Sequence, residues 1–239
     1  MRTSNGDEPA ADAAPERGAV RPGSTPTAVD RATAQLRDEI LSGRLGPDDP
    51  LREESFASRL GVSRHTVRAA FQRLVAERLA VAEPYRGVRV TSFDDAQLTA
   101  LQQLRAALEV EAVRIAFGRF GGTLPEHVLA PARLAIDAME RLGAAGDAPG
   151  AATDAAWLEV ERLHAEFHTV LVAASASPRI IETHRALGSE LLLFILHART
   201  HYSVAAIVDE HRRLLDELPH RGPDALRAHL DHSTRLLLD

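Results

Sequence analysis

The chain has 239 residues, of which 45% are hydrophobic, 26% are charged and 4% are aromatic, a composition typical of a folded protein of one or two domains. It contains no cysteine, which excludes disulfide bonds and thiolate metal sites, and it has no apolar run near the roughly 20 residues that span a membrane. All 28 basic residues are arginine, and 34 acidic residues bring the net charge to −6.

Residues 1–26 are rich in alanine, glycine, proline, serine and threonine. They offer too few large apolar side chains to offset the entropy lost on ordering, so we predict a disordered tail. The tail also lacks the apolar core of a signal peptide, and we therefore expect a cytoplasmic protein with no membrane partner.

Residues 27–92 carry three helical patterns followed by a hairpin. The first helix ends at the glycines and prolines of the segment SGRLGPDDP. The second, Glu53–Leu60, precedes Gly61, which can form a left-handed cap, and Ser63 can cap the third helix. Two short strands joined by a turn at residues 84–87 complete the region.

The third helix has two distinct faces. Its apolar face carries Val67, Ala70, Phe71 and Leu74, and its polar face carries His65, Arg68 and Gln72. Residues 59–89 contain seven arginines and only two glutamates, a local positive charge that is typical of a DNA-contacting surface. We predict a winged helix-turn-helix whose third helix enters the major groove; the alternative is an amphipathic surface helix with solvated charges.

Residues 93–239 show only helical patterns, which predict an all-α bundle. Breakers divide the region into six helices, at Asp94–Arg119, Pro125–Leu142, Thr153–Ala174, Pro178–Thr200, Val204–Leu218 and Pro223–Leu238. The whole chain is therefore expected to be mainly α, with an N-terminal winged helix-turn-helix and a C-terminal helical bundle.

Four of the 11 histidines lie on apolar helix rows and are expected to point into the bundle. His164 and His168 are one turn apart, whereas His211 and His229 belong to two later helices. The four could converge on a metal, or they could be core histidines without one. His197 and His201 form a second pair at this spacing but are expected to be exposed. No role is expected for His127, His184 and His220, which have polar neighbours in sequence.

The N-terminal region resembles the DNA-binding half of GntR-type bacterial transcription regulators, through the segments LREESFASRLGVSRHTVRAAFQRLVAERLA and YRGVRV. The resemblance implies that the recognition helix contacts DNA and that the hairpin tip approaches the minor groove. The DNA-contacting set is then Arg64, His65, Thr66, Arg68, Gln72, Arg86 and Gly87. His65 and Thr66 differ from the residues common in this subfamily, so the operator sequence does not carry over.

The C-terminal region resembles the ligand-sensing FCD domain, through LQQLRAALEVEAVRIA, FHTVLVAASASPRI, DEHRRLLDEL and RAHLDHS. In that subfamily a carboxylate and three histidines commonly hold a divalent metal. Here His164 stands at the carboxylate position, and the resemblance assigns the other three positions to His168, His211 and His229. Four imidazoles favour a transition metal, zinc first and nickel or iron as alternatives, over magnesium.

Arg105 lies in the segment that resembles the ligand-facing helix of FCD domains. Its guanidinium could bind the carboxylate of a small organic effector. It could equally form a structural ion pair with Glu109, one turn further along the helix.

These patterns predict a ligand-responsive transcription regulator that binds a palindromic operator as a homodimer and senses a small carboxylate. A metal-dependent hydrolase fused to a DNA-binding module is the alternative, although the chain has no HExxH motif, nucleophile elbow or phosphate-binding glycine loop. A constitutive architectural DNA-binding protein is a third possibility, but it would leave the large C-terminal region unexplained.

Overall fold

The computed structural model describes residues 25–146, 154–198 and 203–238. Most of the predicted disordered tail, residues 1–24, lies outside these ranges. None of the helices in the described ranges is both long enough and apolar enough to cross a membrane.

The N-terminal part is a three-helix unit with a small antiparallel sheet. Its elements are α1 (Ala28–Leu41), β1 (Pro50–Leu51), α2 (Glu53–Leu60), α3 (Arg64–Ala76), β2 (Ala80–Glu83) and β3 (Gly87–Val90). As predicted, Gly61 ends α2 in the left-handed conformation, with φ of +65°, and the Ser63 hydroxyl accepts a hydrogen bond from the Thr66 amide at the start of α3. These two caps fix the tight turn between α2 and α3.

The sheet has three strands in the order β1-β3-β2, rather than the two predicted from the hairpin alone. The added strand β1 pairs Pro50 with Arg89 and Leu51 with Val88. A two-residue strand is too short to show alternation, and its proline lacks an amide hydrogen. Proline is tolerated there because β1 is an edge strand.

The apolar face of α3 forms the core of this unit. Val67 and Leu74 are fully buried, and Phe71 packs edge-to-face on Phe56 with ring centroids 5.5 Å apart. Truncating such a buried aromatic residue typically costs about 3–5 kcal/mol. Packing on this side leaves the opposite face of α3 towards solvent.

In the C-terminal part, the secondary structure of the described residues is all helical. Its elements are α4 (Asp95–Arg119), α5 (Glu126–Gly146), α6 (Asp154–Ala173), α7 (Pro178–Ala186), α8 (Gly188–Ala198), α9 (Val204–Arg221) and α10 (Pro223–Leu238). Helix α5 packs along α6 and α9, and α4 packs along α10 and α6. The predicted mainly α fold, a winged helix-turn-helix followed by a helical bundle, is confirmed.

The single helix predicted over Pro178–Thr200 is wrong, because the chain breaks at Leu187 into α7 and α8. The Leu187 amide donates to the carbonyl of His184, three residues back, at 3.1 Å. After this turn α8 packs along α6 and also reaches the N-terminal unit, where Leu193 joins the apolar core and Glu190 lies 3.5 Å from Arg78. Because of this break, the segment formed by α7 and α8 packs against both the helical bundle and the N-terminal unit.

Candidate DNA-binding face and buried histidine site

The solvent-facing side of α3 carries the predicted DNA-contacting residues. Arg64, His65, Arg68 and Gln72 are exposed. Thr66 is half-buried, and its hydroxyl lies 2.9 Å from that of Ser63. Its side chain therefore lies beside the helix cap, whereas the other four extend from the helix.

The two arginines at the start of this face are paired with carboxylates of α2. Arg64 donates to Glu54 at 2.5 Å, and Arg68 donates to both oxygens of Glu53 at 2.7 Å. Such exposed pairs contribute only about 0–1 kcal/mol. The guanidinium groups can therefore exchange these carboxylates for phosphate oxygens or base edges at little cost.

The tip of the β2–β3 hairpin is polar and exposed. Arg86 pairs with Glu83 at 2.8 Å. Gly87 has φ of +77°, a left-handed conformation that a side chain would strain, although space for a Cβ is open. Tyr85, beside Gly87, is fully exposed. It was not singled out from the sequence, although an aromatic residue between Pro84 and Arg86 in a predicted turn could have indicated it.

The four histidines predicted to converge do so inside the bundle. Candidate ligand nitrogens of His164, His168 and His211 all lie within 4.8 Å of one another. The ring of His229 lies 4.6 Å from that of His211 and 5.6 Å from that of His168, centroid to centroid. All four side chains are buried, and they come from α6, α9 and α10.

The buried carboxylate of Glu109, on α4, connects this cluster to two further residues. One oxygen accepts from Arg105 Nε at 2.8 Å and lies 3.0 Å from His184 Nε2, and the other lies 2.8 Å from His168 Nδ1. Burial raises the pKa of Glu109, but Arg105, His168 and His184 outweigh it and hold that pKa well below its usual range. Glu109 is therefore an anion at the centre of the bundle.

No role was predicted for His184 from the sequence, but the structure places it beside the buried histidine cluster. It is buried on α7 and contacts Glu109, because the break at Leu187 turns α7 against α4 and α6. His127 and His220 are exposed, as expected for histidines without a role. The side chains of His197 and His201 lie outside the part of the chain that the structure describes.

Arg105 is buried and bound to Glu109, the ion pair that the sequence offered as one of two roles for it. Two other polar side chains near this point of the bundle were not predicted from the sequence. Gln102 and Glu161 are buried, and none of their side-chain oxygen or nitrogen atoms has a hydrogen-bond partner. Each lies on the helix row of residues already singled out, Gln102 one turn before Arg105 and Glu161 one turn before His164, and this spacing is the signal that could have found them.

Burial keeps the clustered imidazoles neutral. Desolvation lowers the pKa of His168 to about 4, and it is the largest cause that lowers the pKa values of His164, His211 and His229 well below 6.5. A neutral imidazole retains the nitrogen lone pair that a metal needs. The cluster is therefore in the protonation state of a ligand set near neutral pH.

His229 also lines a surface cleft of about 150 Å³ between α9 and α10. The other walls include the charged side chains of Glu210, Arg213 and Arg221. The cleft places the histidine cluster one side chain away from solvent.

Comparison with known proteins finds two family matches along the chain. Residues 28–90 match the family "Bacterial regulatory proteins, gntR family", and residues 100–235 match the FCD domain. The chain is 32% identical over 183 residues to the HTH-type transcriptional repressor GlaR of Escherichia coli K12, a match that covers 74% of this chain and 77% of GlaR.

Two further similarities extend over most of the chain. The "Probable D-xylose utilization operon transcriptional repressor" of Paenarthrobacter nicotinovorans is 28% identical over 203 residues, which are 83% of this chain and 84% of that protein. A crystal structure of a GntR transcriptional regulator from Rhodococcus sp. RHA1 superposes with a TM-score of 0.69 at 26% identity, covering 88% of this chain and 97% of the other. None of these relatives supports the hydrolase alternative. The chain belongs to the GntR family of bacterial DNA-binding transcription regulators, and its helical half is an FCD domain.

Proposed function

We propose that this regulator senses a small carboxylate through a transition-metal site formed by His164, His168, His211 and His229. The observation that carries the proposal is the arrangement of His168 and His211, whose Nε2 atoms lie 3.1 Å apart. Each of these rings has its other nitrogen committed to an acceptor, so the two free lone pairs face each other.

The acceptors indicate which nitrogen of each ring carries the proton. His168 Nδ1 lies 2.8 Å from the ionised carboxylate of Glu109, and His211 Nδ1 lies 2.6 Å from the carbonyl oxygen of Ile207. Neither acceptor has a proton to give, so both Nδ1 atoms donate and both Nε2 atoms are bare. Two bare nitrogens at 3.1 Å repel unless a cation lies between them.

The residues fit a divalent transition metal. Zinc–nitrogen bonds of about 2.0–2.1 Å in a tetrahedral site place the nitrogens about 3.3 Å apart, close to the separation of the two Nε2 atoms. Imidazole donors favour zinc, nickel or iron over magnesium, and zinc is our first choice. With four imidazoles on the metal, the carboxylate of an effector would bind to the cation as a fifth ligand.

Arg105 is the proposed second contact for that carboxylate. Its Nε is committed to Glu109, so an effector would be bound by the outer guanidinium nitrogens. The cleft at His229 offers a route from solvent.

At the other end of the chain, we assign DNA contact to Arg64, His65, Thr66, Arg68 and Gln72 on α3, and to Arg86 and Gly87 at the hairpin tip. Arginine can bridge guanine edges or phosphate oxygens, which the apolar residues of α3 cannot do. The chain would act in the cytoplasm as a homodimer on a palindromic operator, since a single short recognition helix reads few bases.

Elemental analysis of protein purified without a histidine tag tests the metal site. We expect about one zinc, nickel or iron per chain, and loss of that metal in the His168→Ala, His211→Ala double variant. The matched control is His127→Ala, His220→Ala, which removes two exposed imidazoles. Full occupancy in the first double variant, or no metal in the unaltered chain after incubation with zinc and nickel, would refute the site.

A thermal-shift screen of hydroxy acids, sugar acids and amino acids, with and without the metal, tests the effector class. A carboxylate that binds the folded state raises the apparent stability, and Arg105→Met should abolish the shift. A shift produced only by uncharged ligands would contradict the assignment.

A further inference from the structure

Glu161 is a buried carboxyl group with no hydrogen-bond partner among the described residues. Its side chain is fully buried on α6, and both oxygens lack such a partner. Leaving a buried polar group unpaired costs free energy. A group that could satisfy it is His164 Nδ1, which lies 3.8 Å from Glu161 Oε2 and is likewise without a partner.

Two other histidines of the cluster have an acceptor within hydrogen-bond distance of Nδ1. His168 Nδ1 has the Glu109 carboxylate at 2.8 Å, and His211 Nδ1 has the Ile207 carbonyl at 2.6 Å. An acceptor therefore lies on the Nδ1 side of His164, His168 and His211. In metal sites such an acceptor fixes the ring orientation and leaves the second nitrogen for the metal.

We infer that Glu161 is the positioning residue for His164, an inference that rests on the metal site proposed above. Its carboxylate accepts a hydrogen bond from His164 Nδ1 when a metal is bound, and this bond directs His164 Nε2 to the metal. Four neutral imidazoles bring no negative charge to a buried divalent cation. Glu109 behind His168 provides one negative charge, and Glu161 behind His164 provides an oxygen acceptor for the ring.

The helix geometry argues against Glu161 as a direct ligand. It lies seven residues before His168, about 10 Å along the helix axis, with His164 in between. The group of mutually close ligand atoms comprises His164, His168 and His211 and does not include it. Arg105 does not supply the missing partner either, since neither oxygen of Glu161 has a hydrogen bond to any described residue.

The test is zinc affinity, measured by competition with a chromophoric chelator on the full chain. Glu161→Gln should still bind one zinc, but about 10–100-fold more weakly. Glu161→Asp, which keeps the charge, should recover part of the affinity. The matched control Glu159→Gln alters an exposed carboxylate on the same helix and should bind as the unaltered chain does.

A double-mutant cycle separates positioning through His164 from a direct role. In a His164→Ala background, Glu161→Gln should cause no further loss, and the visible spectrum of the cobalt(II)-loaded Glu161→Gln variant should keep the shape seen in the unaltered chain. A loss that persists without His164 would overturn the inference, as would unchanged zinc affinity in Glu161→Gln. If the unaltered chain binds no zinc, the proposed metal site fails and this inference fails with it.

Discussion

Arg68 on the recognition helix donates two hydrogen bonds to Glu53 on the preceding helix, from Nε and Nη2, each 2.7 Å long. This fork is the geometry with which arginine binds a guanine edge or a phosphate. Under the proposed assignment of Arg68 to DNA contact, Glu53 occupies in the DNA-free chain the position that DNA would take.

Arg68→Ala should weaken operator binding by about 1–3 kcal/mol if the side chain reads a base, and by a smaller, uniform amount on all sequences if it contacts phosphate. Glu53→Gln should strengthen binding, because it removes the competing carboxylate. Both are measured by titration of operator and random DNA at fixed salt. Arg114→Ala, which breaks an exposed arginine–glutamate pair in α4, is the control, and equal affinities for all four proteins would contradict the assignment.

The buried pair of Arg105 and Glu109 predicts a large stability effect. Glu109→Ala leaves the guanidinium buried without its partner and should lower the free energy of unfolding by about 3–5 kcal/mol. Glu111→Ala, two residues away, removes an exposed partner of Arg114 and should cost at most about 1 kcal/mol. Urea denaturation of the metal-free proteins distinguishes the two, and similar losses would show that the burial of Glu109 has no energetic consequence.

The buried histidines predict acid sensitivity of the metal-free fold. Their pKa values lie below 6.5 in the folded chain, so between pH 6.5 and about 4 the unfolded chain takes up protons that the folded chain does not. Stability therefore falls as the pH falls through this window, by about 3 kcal/mol from His168 alone. Burial raises the pKa of Glu161 to about 8, so the folded chain holds a proton on this carboxyl that the unfolded chain releases. This group therefore stabilises the fold as the pH falls, which offsets part of the loss.

This pH dependence is measured by urea denaturation with chelator at about pH 7 and about pH 5. His168→Gln should reduce the difference between the two values, whereas His127→Gln, at an exposed position, should leave it unchanged. A difference that is unchanged in His168→Gln would show that this histidine titrates normally.

The single 13-residue recognition helix predicts a dimer on DNA. Two half-sites should be protected in footprinting, related by a dyad and separated by about one helical turn of DNA or a multiple of it. Light scattering should give twice the chain mass at working concentration. A monomer that protects one unrepeated half-site would contradict this prediction.

The sequence predicts a feature of the fold when the residues that determine it lie within one helix. The two faces of α3 and the convergence of His168 and His211 follow from helical periodicity, because apolar rows must turn inward. The role of Glu109 does not follow, because its partners His168 and His184 come from helices that meet α4 only in the folded bundle.

The break at Leu187 is a different case. Gly188 is a visible signal in the sequence, but a glycine within a helical pattern is usually tolerated. Tertiary contacts decide whether the helix breaks here, since α7 packs on α4 and α8 packs on α1. Strand β1 was missed for another reason, as two residues carry no periodicity.

The position of Leu193 in the core of the winged unit has a consequence for dissecting the protein. A fragment cut after Ser92 would expose the apolar surface that Leu193, almost fully buried at 2% exposure, covers in the full chain. Such a fragment loses part of its own hydrophobic core, so it should be less stable and more prone to self-association than the intact chain. The DNA-binding segment therefore ends earlier in the sequence than the unit that folds cooperatively with it. That unit also includes a helix from nearly a hundred residues further along the polypeptide.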